Sequence, residues 1–186
     1  MMNKNEFRQM KKDLEKFDEK RESIIQQSRI IIKLSKQIIF SLHRDDLPKA
    51  KSLMKEIEKC AAKLPKESYD TDINKVAMQE YVEAATYYYF ITKGIIIGKK
   101  KLEVTTESYL RGLCDLSGEL TRRAVKDVIK KNYKGAEKIR NLVEELYGMF
   151  LEFDLRNGEL RKKSDQIKWS LAKLEDISYN LSMKKE

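Results

Sequence analysis

Over the first 44 residues, apolar side chains return every three or four positions: Phe7, Met10, Leu14, Phe17, Ile24, Ile31, Ile38 and Leu42. Arg21, Ser28 and Ser35 fill the gaps in the same register. Alternating steps of three and four mark a long helix that lays one seam against a neighbour. The three polar interruptions are of the kind that set register or face a partner rather than a dry core. Asp45 and Asp46 then supply N-cap chemistry, Pro48 suits the first turn of a second helix running to about Leu64, and Pro65 closes it. The same periodicity predicts a third helix from about Thr71 to Gly98, a fourth from about Thr105 to Tyr133, a fifth from about Gly135 to Arg156 and a sixth from Gly158 to about Met183. Short turn signals separate them at Gly98 with Lys99 to Lys101, at Asn132 to Gly135, and at Asn157-Gly158. The expectation is an all-α fold. Residues 1–186 would form a single domain, a bundle of about six helices, each antiparallel to its sequence neighbour because the loops are short.

Composition narrows this further. With 7 Gly and 2 Pro in 186 residues, the turn chemistry of a many-stranded fold is missing. A hydrophobic share of 41% beside 37% charged residues is too apolar for disorder and too charged for a membrane bundle. No apolar run approaches the roughly 18 residues of a spanning helix, and the first residues lack the apolar stretch of a signal peptide, so a cytoplasmic protein without a membrane partner is expected. Cys60 and Cys114 sit in helical patterns without metal-ligand spacing and read as plain thiols. The net charge of +9 calls for an anionic partner, nucleic acid before a lipid surface.

Candidate chemistry lies on two apolar helices. From Val76 to Ile91 the polar exceptions are Gln79, Glu80, Glu83 and Thr86, which helical spacing gathers on one stripe. In the fourth helix Arg111, Asp115, Gly118, Glu119 and Arg122 form a second stripe among leucines. If the stripes meet, three or four carboxylates share a cleft and their repulsion calls for a cation. Hard oxygen donors suit Mg²⁺ or Mn²⁺, which promote phosphodiester hydrolysis. Spacing alone leaves a second reading open, a structural ion-pair network. That network needs one base per acid, and no basic residue lies between Lys75 and Lys93.

Other signals are weaker. His43, the one histidine, reads as a helix-end residue rather than a general base; Tyr87, Tyr88 and Tyr89 read as core, and Trp169 has a similar core-like spacing. Gly94 to Lys100 falls short of a phosphate-binding loop. Arg29, Lys33, Lys36, Arg122, Arg123, Lys126, Lys130 and Lys131 are free to contact phosphates or to solvate outer faces.

At these same helices the chain resembles the translin family, and within it the translin-associated factor X branch. The resemblance is carried by Ser28-Arg29, Ser35-Lys36 and Ile39 to Arg44, by Gln79 to Ala84, by Tyr109 to Leu120, and by Ser170 to Leu181. It implies a helical fold assembled into a closed, hollow, octamer-like barrel of this chain with itself, with single-stranded RNA or DNA inside. It also implies a Mg²⁺-dependent endoribonuclease, because Glu80, Glu83 and Asp115 match the branch's catalytic acids; these three and Glu119 would be the metal ligands. Arg29, Lys33, Lys36, Arg111, Arg122 and Arg123 are the expected nucleic-acid contacts. The chain departs from the family in a short link, Gly98 to Thr105, between the third and fourth helices. The other reading is a non-catalytic, translin-like binder of single strands.

Overall fold

The computed structural model describes residues 3–65 and 69–183, and every regular element among them is helical. Six long helices, α1 Lys4–His43, α2 Leu47–Lys63, α3 Ile73–Lys93, α5 Thr106–Ile129, α6 Tyr133–Leu151 and α7 Glu159–Ser182, are joined by the single turn α4 Lys99–Leu102 and short loops. The capping residues do what their chemistry suggests: Asn3, Asp46, Thr105 and Asn132 each accept a backbone N–H at the start of a helix.

α3 is the spine. It packs on α1 at one side and on α5 at the other, α5 in turn carries α6 and α7, and α2 lies mainly on α1. Sequence neighbours do pack together, but α1 against α3 is a principal contact that short loops alone did not predict. Ser28 and Ser35 are fully buried in this arrangement. Their hydroxyls lack a hydrogen-bond partner, so they serve as small side chains within the bundle rather than as partner-facing groups. Burial along α1 starts at Ile24; Phe7, Met10, Leu14 and Phe17 remain exposed, leaving the first half of the seam without cover in this chain.

The third helix ends sooner than expected. Its last residue is Lys93, and Gly94 takes a φ of 70°, the left-handed cap that glycine adopts without strain; Gly98 instead precedes α4. The sixth helix starts as expected, yet Trp169 is 72% exposed. Helical spacing placed it beside core positions, but Ile167, Leu171 and Leu174 carry the buried stripe.

α3 and α5 approach at Gly112. A Cβ there would stand 2.6 Å from the Val82 side chain and 2.9 Å from the Gln79 carbonyl oxygen. Gly112→Ala should therefore force the two helices apart and cost about 1–3 kcal/mol in urea unfolding, even though alanine is the better helix former.

Candidate active site

The close approach of α3 and α5 brings the two acidic stripes face to face. Glu80 and Glu83 come from α3, Asp115 and Glu119 from α5. Glu83 is the most enclosed, 8% exposed. Burial pushes its carboxyl up to about 8, and the negative charges of Asp115, Glu80 and Glu119 add to the rise while Lys163 opposes it. Glu80 is raised as well, first by burial and also by Asp115, against the pull of Lys36 and Lys163. Glu83 thus feels each of the other three acids.

Their partners differ. Asp115 accepts from Gln79 Nε2 at 2.5 Å and from Lys163 Nζ at 2.6 Å. Glu119 accepts from His43 Nε2 through Oε2, and Arg122 Nη1 stands 3.7 Å from the same oxygen. The other ring nitrogen of His43, Nδ1, lies 3.3 Å from the Tyr87 hydroxyl. Among the described residues neither Glu80 nor Glu83 has an ion pair or a side-chain hydrogen bond.

The expected contrast between ion network and cation site therefore resolves unevenly. Bases do reach the acids, but from helices remote in sequence: Lys36 from α1 and Lys163 from α7. Gln79, Lys163 and His43 are the site residues that sequence reasoning missed. Gln79 was visible on the stripe, and His43 at a helix end; Lys163 carried no signal within its basic run. The oxygen donors are those a hard divalent ion takes. As they stand, no three His, Cys, Asp or Glu side chains among the described residues are grouped to hold one, with Asp115 and Glu119 engaged as above.

The expected basic contacts divide. Arg29, Lys33 and Lys36 line a shallow groove along α1 with Ile32, Gln37, Phe40 and Lys49, and Lys36 is the member that feels Glu80. Arg122 is 63% exposed, with its Nη1 3.7 Å from Glu119 Oε2. Arg123 is committed elsewhere: its Nη1 donates to Asp45 at 2.7 Å and its Nε to Asp127 at 3.2 Å. Lys126 and Lys130 join it on Asp45, whose carboxyl these cations hold far below the usual range. Arg111 donates to Glu107 at 2.7 Å and lines a separate cavity with Lys75, Met78 and Tyr81, residues on the opposite face of α3 from Glu80 and Glu83. Tyr87 is core, as expected, while Tyr88 and Tyr89 are half-buried and stack edge to face.

Comparison with known proteins adds a family. Residues 19–185 match the profile of the Translin family. The Translin-associated protein X homolog of Schizosaccharomyces pombe is 27% identical over 205 residues, covering 94% of this chain and 86% of that protein. Among solved structures, apo-NeC3PO superposes with a TM-score of 0.86 at 32% identity, covering 95% of this chain and 96% of that one. AfC3PO in complex with duplex RNA gives 0.76 at 26% identity, covering 97% of this chain and all of the other.

Proposed function

The chain belongs to the translin family, and from that premise we propose that it is a metal-dependent endoribonuclease that binds and cleaves single-stranded RNA, assembling with itself to do so. The observation that carries this reading is the acid cluster: four carboxylates brought together from two helices, of which Glu80 and the most buried, Glu83, have no ion-pair partner among the described residues. A folded chain tolerates such a group when a ligand completes it. Glu80, Glu83 and Asp115 would hold Mg²⁺ or Mn²⁺, with Glu119 as a further ligand or as the group that orients the others. When bound, the ion supplies charge to the scissile phosphate and lowers the pKa of a water.

The chain's own residues do the rest. His43 fixes Glu119 through Nε2 and is itself held by Tyr87. Gln79 fixes Asp115. Arg29, Lys33 and Lys36 run at helical spacing along the groove on the side of α1 whose Lys36 acts on Glu80, a suitable track for a phosphate backbone, and Arg122 waits beside Glu119. The exposed stripe Phe7, Met10, Leu14 and Phe17 offers self-assembly an apolar surface; an octamer is the form we favour.

The test is cleavage of labelled single-stranded and duplex RNA and DNA, with Mg²⁺, with Mn²⁺ and with EDTA. Metal-dependent products from single-stranded RNA are expected. A salt-sensitive gel shift without products would instead make the protein a non-catalytic binder of single-stranded RNA or DNA. A duplex preference would transfer the likeness to the duplex RNA complex into substrate choice. Replacing Arg29, Lys33 and Lys36 together by Ala should flatten the plot of log affinity against log salt by about 2, at roughly 0.7 for each single-strand phosphate that is no longer neutralised.

A further inference from the structure

Lys163 stands in the first turns of α7, within a basic run in which Arg161 and Lys162 are exposed and Lys163 is turned inward. Ile167, one turn on, is fully buried and anchors it. Its Nζ lies 2.6 Å from Asp115 Oδ1, and its charge reaches Glu80 and Glu83 as well. Among the described residues it is the lysine that pairs directly with one of the four acids, and its side chain keeps 24% exposure.

Resting on the reading above, we propose that Lys163 is a catalytic residue: it shields Asp115 in the cation-free chain and, with RNA bound, donates to a non-bridging oxygen of the scissile phosphate. A divalent ion held by Asp115 would set a double positive charge beside the Lys163 ammonium, and that repulsion loosens the Lys163–Asp115 pair. Once released, a flexible lysine finds its next anion in the phosphodiester that the acids surround. In the hydrolysis, a water oxygen bonds to phosphorus as one ester P–O bond breaks. The electron pair of that bond goes to the ribose oxygen, which takes a proton from solvent, and the attacking water yields one to solvent. Lys163 keeps its own proton and offsets the charge that gathers on the non-bridging oxygens.

The experiment compares wild type, Lys163→Met and Lys163→Arg. Mg²⁺ affinity is measured by calorimetry without RNA, RNA affinity in EDTA, and single-turnover cleavage at saturating Mg²⁺. Removing the competing cation should tighten Mg²⁺ binding by about fivefold in Lys163→Met. Cleavage should fall about 10²-fold, as for loss of one preorganised transition-state donor, while RNA affinity in EDTA stays within roughly twofold. Lys163→Arg, which keeps the charge, should hold cleavage within about tenfold of wild type. If Lys163→Met does not fold, Lys163→Gln decides on the same readouts. A neutral variant that cuts at the wild-type rate, or binds Mg²⁺ no more tightly, overturns the role of Lys163 and leaves the nuclease standing. A wild type that neither binds Mg²⁺ nor cuts overturns both.

Discussion

Glu83→Gln is expected to lower Mg²⁺-dependent cleavage by at least about 10³-fold while RNA affinity in EDTA is unchanged. Gln keeps the shape and one oxygen but not the charge, and Glu83 is the acid with the least solvent and no base. The same change should make the metal-free protein more stable at high pH. Glu83 is raised from 4.5 to about 8 by burial and by its acidic neighbours. Between those values the folded chain holds a proton that the unfolded chain releases, so stability falls as pH rises through the window. Above it, ionised Glu83 costs roughly 4–5 kcal/mol that Gln avoids; below a pH of about 4 the two proteins should match. Urea unfolding in EDTA at acidic, neutral and alkaline pH measures this. Equal slopes against pH for variant and wild type would show that Glu83 is not strained by its neighbours, and a variant that cleaves normally would remove it from the site. Lost activity with gained stability is the pairing expected of a functional group held where the fold alone would not keep it.

Arg123→Ala should destabilise the chain by about 3 kcal/mol, because it strands a buried charge. Asp127 is 7% exposed and its carboxylate is paired with Arg123 Nε. Asp45, by contrast, keeps Lys126 and Lys130 after the change. Arg123 Nη1 also reaches the Leu42 carbonyl near the end of α1, so the residue ties α5 to α1. Arg122→Ala, one position earlier and 63% exposed, should leave stability within about 0.5 kcal/mol and weaken RNA binding instead. Denaturant midpoints set beside salt-dependent RNA affinities separate the two. If Arg123→Ala were as stable as wild type and bound RNA selectively more weakly, the structural role assigned to it would be wrong.

These two arginines show how far the chain could be read without coordinates. Both carry the same charge on one helix, and a polar stripe drawn by spacing included Arg122 only by a margin of one residue. A rotation of about 100° sends one to solvent and the other into the α1 lock. Trp169 fails in the opposite direction, with core-like spacing but the wrong side of α7. The acid pairs were legible because Glu80 and Glu83 interrupt the apolar stretch of α3 and Asp115 and Glu119 stand among the leucines of α5, where burying a charge is costly, so their face had to be special. What met that face was not legible: Lys163, His43 and Lys36 come from helices 48, 76 and 44 residues away in the chain from Asp115, Glu119 and Glu80.

Periodicity and local chemistry were enough to specify the six long helices to within a few residues, the Asp46 cap, most of the buried stripes and the pairing of acids on α3 and α5. Each of these follows from residues within a few turns, where backbone hydrogen bonding and helical spacing act. Packing in three dimensions settled which acids are unpaired, which lysine pairs with Asp115 and which arginine is spent on holding α1 to α5. Those outcomes depend on crossing geometry: Gly112 lets α3 and α5 meet closely enough to merge their stripes, and α7 is laid so that Lys163 turns inward. A partner's charge acts over a few ångströms of space, whatever its distance along the chain.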